Sequence, residues 1–274
     1  MAAILNNQRI ALNTDILSLA LYSYGCFTTF AVTHGHVKGF NDHMQRLLRD
    51  ARALFGTAPD NNDIQHNIET FLHLNSDANP IIVRVTLFPN DFSFAAPEHI
   101  DSLNILVTGR AQHLPAENPI RLSRIDATRP FAGHKTTNML ACLNARATAR
   151  KNGFDDALMV NRNIVTEGAT WNIFFGVENH LTTPSLDSGI LPGVTRGLIL
   201  KHAQEFGFSV SEEKINIGDI DTYTYCFATN ATAGITPIGV IDNTEYEPHC
   251  SQLANLKKGY SRVREAPIFQ QRNP

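Results

Sequence analysis

The sequence predicts an α+β protein of two lobes, a smaller N-terminal α+β domain and a larger strand-rich C-terminal domain with helices packed outside it. Three observations lead there. A chain of 274 residues is longer than most single hydrophobic cores use. Helical and strand periodicities alternate in both halves. Between the halves, residues 111–120 carry Pro115 and Pro119 and little apolar periodicity, which reads as a connector. The expected division is therefore 1–114, a linker at 115–124, and 125–274.

Residues 4 to 40 alternate short apolar runs with polar breaks, so strands are expected first. Phe27 to Val32, then His34, Gly35 and His36, reads as a hairpin closing into Val37 to Phe40. From a cap at Asn41 or Asp42, the residues Met44, Leu47, Leu48, Ala51, Leu54 and Phe55 recur at helical spacing and stop at Gly56. Arg46 falls in the opening turns of that helix. A second helix is expected from Asn62 to Leu74, followed by β-branched strands at Ile81 to Phe88 and Leu103 to Thr108. Beyond the connector the pattern gives a helix from Thr137 to Lys151, strands at Ala157 to Asn161 and Asn172 to Val177, and a helix from Thr195 to Phe206. Strands at Tyr225 to Thr229 and Ile235 to Ile241 complete the series. No internal repeat or low-complexity stretch is found.

Composition narrows the function. With 43% hydrophobic and 18% charged residues and a net charge of −3, the chain has a packed core and no basic stripe, so nucleic acid is not an expected partner. Cys26, Cys142, Cys226 and Cys250 lie too far apart for a zinc site or a dense disulfide framework and are expected to be reduced thiols, mostly buried. The apolar stretch Ile16 to Tyr22 is too short to span a bilayer and lacks the flanks of a secretory signal, so no membrane partner is expected and the cytoplasm is the expected compartment. No Walker loop, dinucleotide fingerprint or serine elbow occurs. His34 and His36 have no third ligand near them and read as solvated turn residues, and Trp171 reads as packing at a site wall.

The chemistry centres on Lys135, in the run RPFAGHKTTNML, which sits in a constrained turn between Gly133 and a helix. A lysine amine acts as a nucleophile only when deprotonated, and partial desolvation near other cations lowers its pKa far enough to allow that. A lone loop lysine would be a surface charge. Other segments alter that reading: YGCFTT at 24–29, HMQRL at 43–47, HKTTN at 134–138, TEGATWNIF at 166–174, LPGVTRG at 191–197 and ATNATAGITPI at 228–238.

In this order, over residues 25 to 241, these segments resemble those of the class IV aminotransferases, the fold-type IV pyridoxal phosphate enzymes. That family includes branched-chain and D-amino-acid aminotransferases and 4-amino-4-deoxychorismate lyase. The resemblance implies a D-amino-acid-aminotransferase-like fold, pyridoxal 5′-phosphate as cofactor, a small-molecule amino substrate and a homodimer with its active site where two subunits meet. It implies that Lys135 is the imine-forming lysine, that Glu167 faces the pyridine nitrogen and keeps it protonated, and that Arg46 grips the phosphate, a role suited to a planar fork that stays charged. Asn172 takes an orienting role. Val194 and Thr195, at the start of a helix where free N–H groups favour an anion, are implied phosphate ligands, as are Ala231 and Thr232 in the second loop.

Within the family, the GCFTT string is similar to that of aminodeoxychorismate lyases and favours release of pyruvate to give 4-aminobenzoate. Ala31 stands where many relatives carry an arginine, which leaves the contacts to a substrate carboxylate unassigned. A branched-chain or D-amino-acid transaminase is the alternative, and a catalytically silent cofactor-binding protein is the alternative from another class.

Overall fold

The computed structural model describes residues 3–5, 8–10, 16–112 and 118–268, so Pro115, at the centre of the expected connector, lies outside the described residues. Two short strands, β1 (Ala3–Leu5) and β2 (Gln8–Ile10), pair antiparallel. Then comes a helix, α1 (Leu17–Tyr22), where strands were expected. Its run of Leu and Ala has no β-branched residue to oppose helix.

The first sheet contains β3 (Cys26–Val32), β5 (Ile81–Pro89) and β6 (Leu103–Ala111), antiparallel in the order β3-β5-β6. Between β3 and β5 run β4 (His36–Lys38), α2 (Phe40–Phe55) and α3 (Asn61–Leu74). The period of two divides this sheet's faces. Cys26, Phe30, Val83, Val85 and Leu87 pack under Met44, Leu47, Ala51, Ile64 and Ile68 of the helices. The other face carries Phe27 and Thr29 opposite Thr86 and Arg84, and it looks onto the cavity described below. The expected cap at Asn41 or Asp42 is displaced. Gly39, at a φ of 65°, turns the chain, and α2 begins directly at Phe40. A Cβ at Gly39 would lie 2.7 Å from Cγ1 of Val194, so glycine lets the start of α2 meet the second half of the chain.

The second half holds β7 (Ile120–Asp126), α4 (Leu140–Lys151), β8 (Asp156–Asn161), β9 (Ile164–Gly168), β10 (Asn172–Val177), β11 (His180–Pro184), α5 (Val194–His202), β12 (Ser209–Glu213), β13 (Tyr225–Asn230), β14 (Gly234–Ile241), β15 (Thr244–Glu245), α6 (Ser251–Ser261) and β16 (Glu265–Pro267). Its sheet runs β12-β11-β10-β13-β14-β7-β8-β9, with β15 beside β14. Residues 120–124, read from sequence as part of the connector, belong to β7 in the middle of this sheet, because Ile120 and Leu122 alternate inward.

Both faces of the central strands are covered. Ile173, Phe175, Cys226 and Ala228 point into one core, and Phe174, Tyr225 and Phe227 into another against Leu198 and Ile199 of α5 and Leu253 and Leu256 of α6. Ala145 and Ala149 of α4 pack on Ala157 and Met159 of β8. The chain returns to the first half, where β16 pairs with β4 and Glu265 meets Lys38 at 3.3 Å. All four cysteines are free thiols. Among the described residues no helix is long and apolar enough to cross a membrane.

Candidate active site

The expected helix from Thr137 starts only at Leu140, because Thr136 bridges to Cys26 of β3 and the residues on either side bond to the same chain segment. The Phe27 N–H donates to the Lys135 carbonyl at 2.8 Å, and the Thr137 N–H donates to the Gly25 carbonyl at 2.8 Å. From α2, the buried Asp50 accepts the Lys135 N–H at 2.9 Å and meets His134 Nδ1 at 3.0 Å. The backbone of Lys135 is therefore held on two sides. Its Nζ lies 4.9 Å from the centre of the Phe27 ring. Burial, then Arg46 and Arg129, push the amine down to about 7, with Glu167 and Cys142 opposing in part.

Glu167 lies on β9, one residue before its end at Gly168, and is 5% exposed. Its Oε1 accepts from Nε and Nη2 of Arg129, each at 3.0 Å, and its Oε2 accepts from the Leu191 N–H at 3.0 Å and from Asn172 Nδ2 at 3.3 Å. Asn172 Nδ2 also donates to the Leu191 carbonyl at 2.9 Å. Asn172 thus ties the carboxylate to the loop ahead of α5. That loop passes so close that a Cβ at Gly193 would sit 2.0 Å from Asn172 Oδ1.

Arg46 comes from α2 and is 7% exposed. Its Nη2 donates to Thr28 Oγ1 at 3.0 Å and its Nη1 to the Pro192 carbonyl at 3.4 Å, while Nε has no partner among the described residues. Burial lowers its pKa to about 10, so it stays charged at neutral pH. Thr28 Oγ1, accepting from Arg46, also shares a hydrogen bond with His43 Nδ1 at 2.7 Å, while His43 Nε2 has no partner among the described residues. Burial, Arg46 and Lys135 hold His43 well below the ordinary histidine range, so it is neutral.

These elements enclose a cavity of about 310 Å³. Arg46, Lys135, Glu167, Asn172, Val194, Thr195, Ala231 and Thr232 all line it, so the residues singled out in the sequence converge from five separate segments. Val194 and Thr195 open α5 and are buried. In the second loop the N–H and hydroxyl of Thr232 and the N–H of Ala233 all donate to Asn230 Oδ1, at 3.0, 3.1 and 2.7 Å. The Thr232 amide, expected to serve an anion, is thus already engaged by an Asn side chain that closes the turn. Trp171 packs at the wall as expected, its indole N–H on Asp156 at 2.9 Å.

Sequence reading missed four residues. Arg129 immediately precedes Pro130 in the run that was quoted, and Asp50 follows Arg46 by one helical turn on the same face. Arg84 and Arg110 face the cavity from β5 and β6. Arg84 was detectable as the lone charge in the apolar run IIVRVTLF. It lies 3.6 Å over the Phe27 ring, donates through Nε to Thr86 at 3.2 Å, and has its pKa lowered by burial.

The arrangement offers an amine that loses its proton near neutral pH, a buried carboxylate and an enclosed arginine lining one cavity, with two further arginines reaching it from β5 and β6. Residues 25–241 match the family described as amino-transferase class IV. A "Probable branched-chain-amino-acid aminotransferase" of Rickettsia felis is 27% identical over 256 residues, covering 88% of this chain and 87% of its own. Among solved structures, a "Putative 4-amino-4-deoxychorismate lyase" from Legionella pneumophila superposes with a TM-score of 0.83 at 25% identity, covering 93% of this chain and 96% of that one. The branched-chain amino acid aminotransferase of Escherichia coli superposes with a TM-score of 0.82 at 19% identity, covering 97% and 98%, and shows the shared fold.

Proposed function

This chain belongs to the class IV aminotransferases, a family of pyridoxal phosphate enzymes, and from that premise we propose that it acts on an amino substrate carrying two carboxylates, with 4-amino-4-deoxychorismate lyase activity as the first reading. The residues fit the cofactor on three counts. The volume lies at the lower end of the ~300–1,000 Å³ typical of small-molecule sites. The Lys135 amine is held near neutrality, and a buried Arg46 Nε lacks a partner. When bound, pyridoxal phosphate supplies an electron sink for negative charge at the substrate carbon next to the amine.

Lys135 Nζ would hold the cofactor covalently and, once displaced by the substrate amine, would take up and return the proton at that carbon. Glu167, oriented by Asn172, would keep a proton on the ring nitrogen. Arg46, Thr195 and the first N–H groups of α5 would hold the phosphate. Ala231 and Thr232 would close the wall beside it.

The observation that carries the choice of substrate is the pair Arg84 and Arg110, which line the same cavity as Lys135 from β5 and β6. Arg84 is partly desolvated, and an anion facing it would be favoured in a way that a branched aliphatic side chain would not. A substrate with two carboxylates can offer one to this wall while its amine meets Lys135. A second reading, transamination with a dicarboxylic keto acid as amine acceptor, is favoured by the relatives named as branched-chain aminotransferases. The deciding experiment incubates the purified enzyme with aminodeoxychorismate and separately with L- and D-amino acids plus 2-oxoglutarate. Pyruvate and 4-aminobenzoate formed in equal amounts support the lyase. Keto acid formation without them replaces it with a transaminase.

A further inference from the structure

Arg129 lies between the two groups on which the proposed chemistry turns. Its Nε and Nη2 both reach Oε1 of Glu167, its Nη1 donates to the His134 carbonyl at 2.6 Å, and Nη2 also reaches the Ala132 carbonyl. One guanidinium, with its side chain 8% exposed, thus spans the carboxylate on β9 and the turn that delivers Lys135. Only a rigid fork of donors can hold both at once, and an ammonium in its place could not.

The geometry poses an electrostatic problem that Arg129 solves. A buried lysine and a buried glutamate lining the same cavity tend to pair with each other, which would leave the amine protonated and the carboxylate occupied. The charged and titratable groups around Lys135 are Arg46 and His43 from α2, Glu167 from β9, Cys142 from α4, Arg129 from the segment after β7, and Arg84 beyond the Phe27 ring. Asp50 of α2 binds the Lys135 N–H and the neighbouring His134, and Glu167 is the carboxylate that acts on the amine itself.

We propose that Arg129 is a positioning residue that takes up the Glu167 charge and fixes the Lys135 turn together, so that the amine stays uncharged and the carboxylate stays free of it. This rests on the roles proposed above for Lys135 and Glu167. It concerns no contact with the substrate.

The test measures acetylation of Lys135 by acetic anhydride against pH, by peptide mass spectrometry, on the full-length chain freed of cofactor, beside the thermal midpoint. Wild type should label with a midpoint near 7. Arg129→Met should raise that midpoint by roughly one unit or more, because Glu167 then draws a proton onto the amine. Arg129→Lys keeps the charge but not the fork. It should raise the midpoint less while still lowering kcat of the loaded enzyme at an unchanged KM. A wild-type midpoint in Arg129→Met, whatever its thermal stability, overturns the proposal. Should that variant not fold, wild-type midpoint and kcat in Arg129→Lys overturn it equally. A wild-type amine titrating in the ordinary lysine range would instead remove the reading of Lys135, and this inference with it.

Discussion

Asp50 follows Arg46 by one turn of α2, is 1% exposed, and accepts from the Lys135 N–H, from His134 Nδ1 and from Nε and Nη2 of Arg49. Asp50→Asn keeps the volume, so no cavity is created and the effect is one of hydrogen bonding alone. If the new amide turned its NH₂ toward Lys135, donor would face donor on a half-buried backbone, at a cost on the order of 1–3 kcal/mol. If it turned its carbonyl there, Arg49 would swing into water, since its side chain is 49% exposed, at about 0–1 kcal/mol. The second orientation wins. What remains is the lost charge assistance on the Lys135 bond and the loss of the His134 bond, because His134 Nδ1 shares Oδ1 with Arg49 and would face the new NH₂. The total should be about 1–2 kcal/mol, or roughly 5 °C in thermal midpoint.

Asp50→Ala removes both acceptors and with them the grip on Lys135. A reacting group displaced by ~1 Å costs on the order of 10²-fold in rate. Asp50→Ala should therefore lose about 10²-fold in single-turnover rate and Asp50→Asn about tenfold or less. Stopped-flow single turnovers and urea melts on the same preparations make the comparison. An Asp50→Ala protein that is destabilised yet turns over at the wild-type rate would show that Asp50 contributes stability only.

Three further outcomes follow from the geometry. Lys135→Met in the cofactor-free chain should be more stable than wild type at about pH 6, where wild type buries a charged amine; because the native pKa is lowered, the unfolded chain binds more protons as pH rises from about 7 toward the ordinary lysine value, so wild type gains stability and the gap closes, and a gap that stays constant up to about pH 9 in urea midpoints refutes this. Glu167→Gln leaves the Arg129 guanidinium buried without a counter-charge and should cost about 3 kcal/mol in stability, together with a turnover loss of ~10²-fold or more, so a fully active variant would remove Glu167 from the chemistry. Arg46→Ala should release cofactor on dialysis while leaving the rate of the loaded fraction nearly unchanged, since a phosphate contact is equally present in ground and transition states; tight retention with slow turnover would move Arg46 to the substrate.

What the sequence made legible follows from how strongly each segment's periodicity was constrained. The helix carrying Arg46 was visible because its apolar stripe packs on a single sheet face. The strands β9, β11 and β12 were not, since TEG, LTT and SVSEE place polar side chains where pairing with neighbours holds the backbone. Helix α6 escaped because Leu253, Leu256 and Tyr260 make only a thin apolar stripe. Lys135 and Glu167 stood out through the strings around them, whereas Arg129 and Asp50 act on the backbone of a turn. A hydrogen bond between a side chain and a backbone group leaves no apolar period or motif in the sequence.

The charges of the site suggest why those two residues matter as much as the ones that face the cofactor. Arg46, Arg84, Arg110, Arg129 and Lys135 line the cavity with Glu167 as counter-charge, and Arg146 is already neutralised by its fork on Asp156 at 3.0 and 2.7 Å. Such a surplus of cations disfavours protonation of the one group able to shed its proton, which is the lysine. His43 yields in the same way and stays neutral beneath Arg46. An incoming phosphate relieves the α5 end, and a carboxylate relieves the β5 and β6 wall. Each anion also weakens the field that keeps the amine uncharged. Arg129 is the cation that no anionic ligand neutralises, because Glu167 and two backbone carbonyls already hold it. Its influence on Lys135 therefore persists once the other charges have been answered, and the amine can give up its proton again in each turnover.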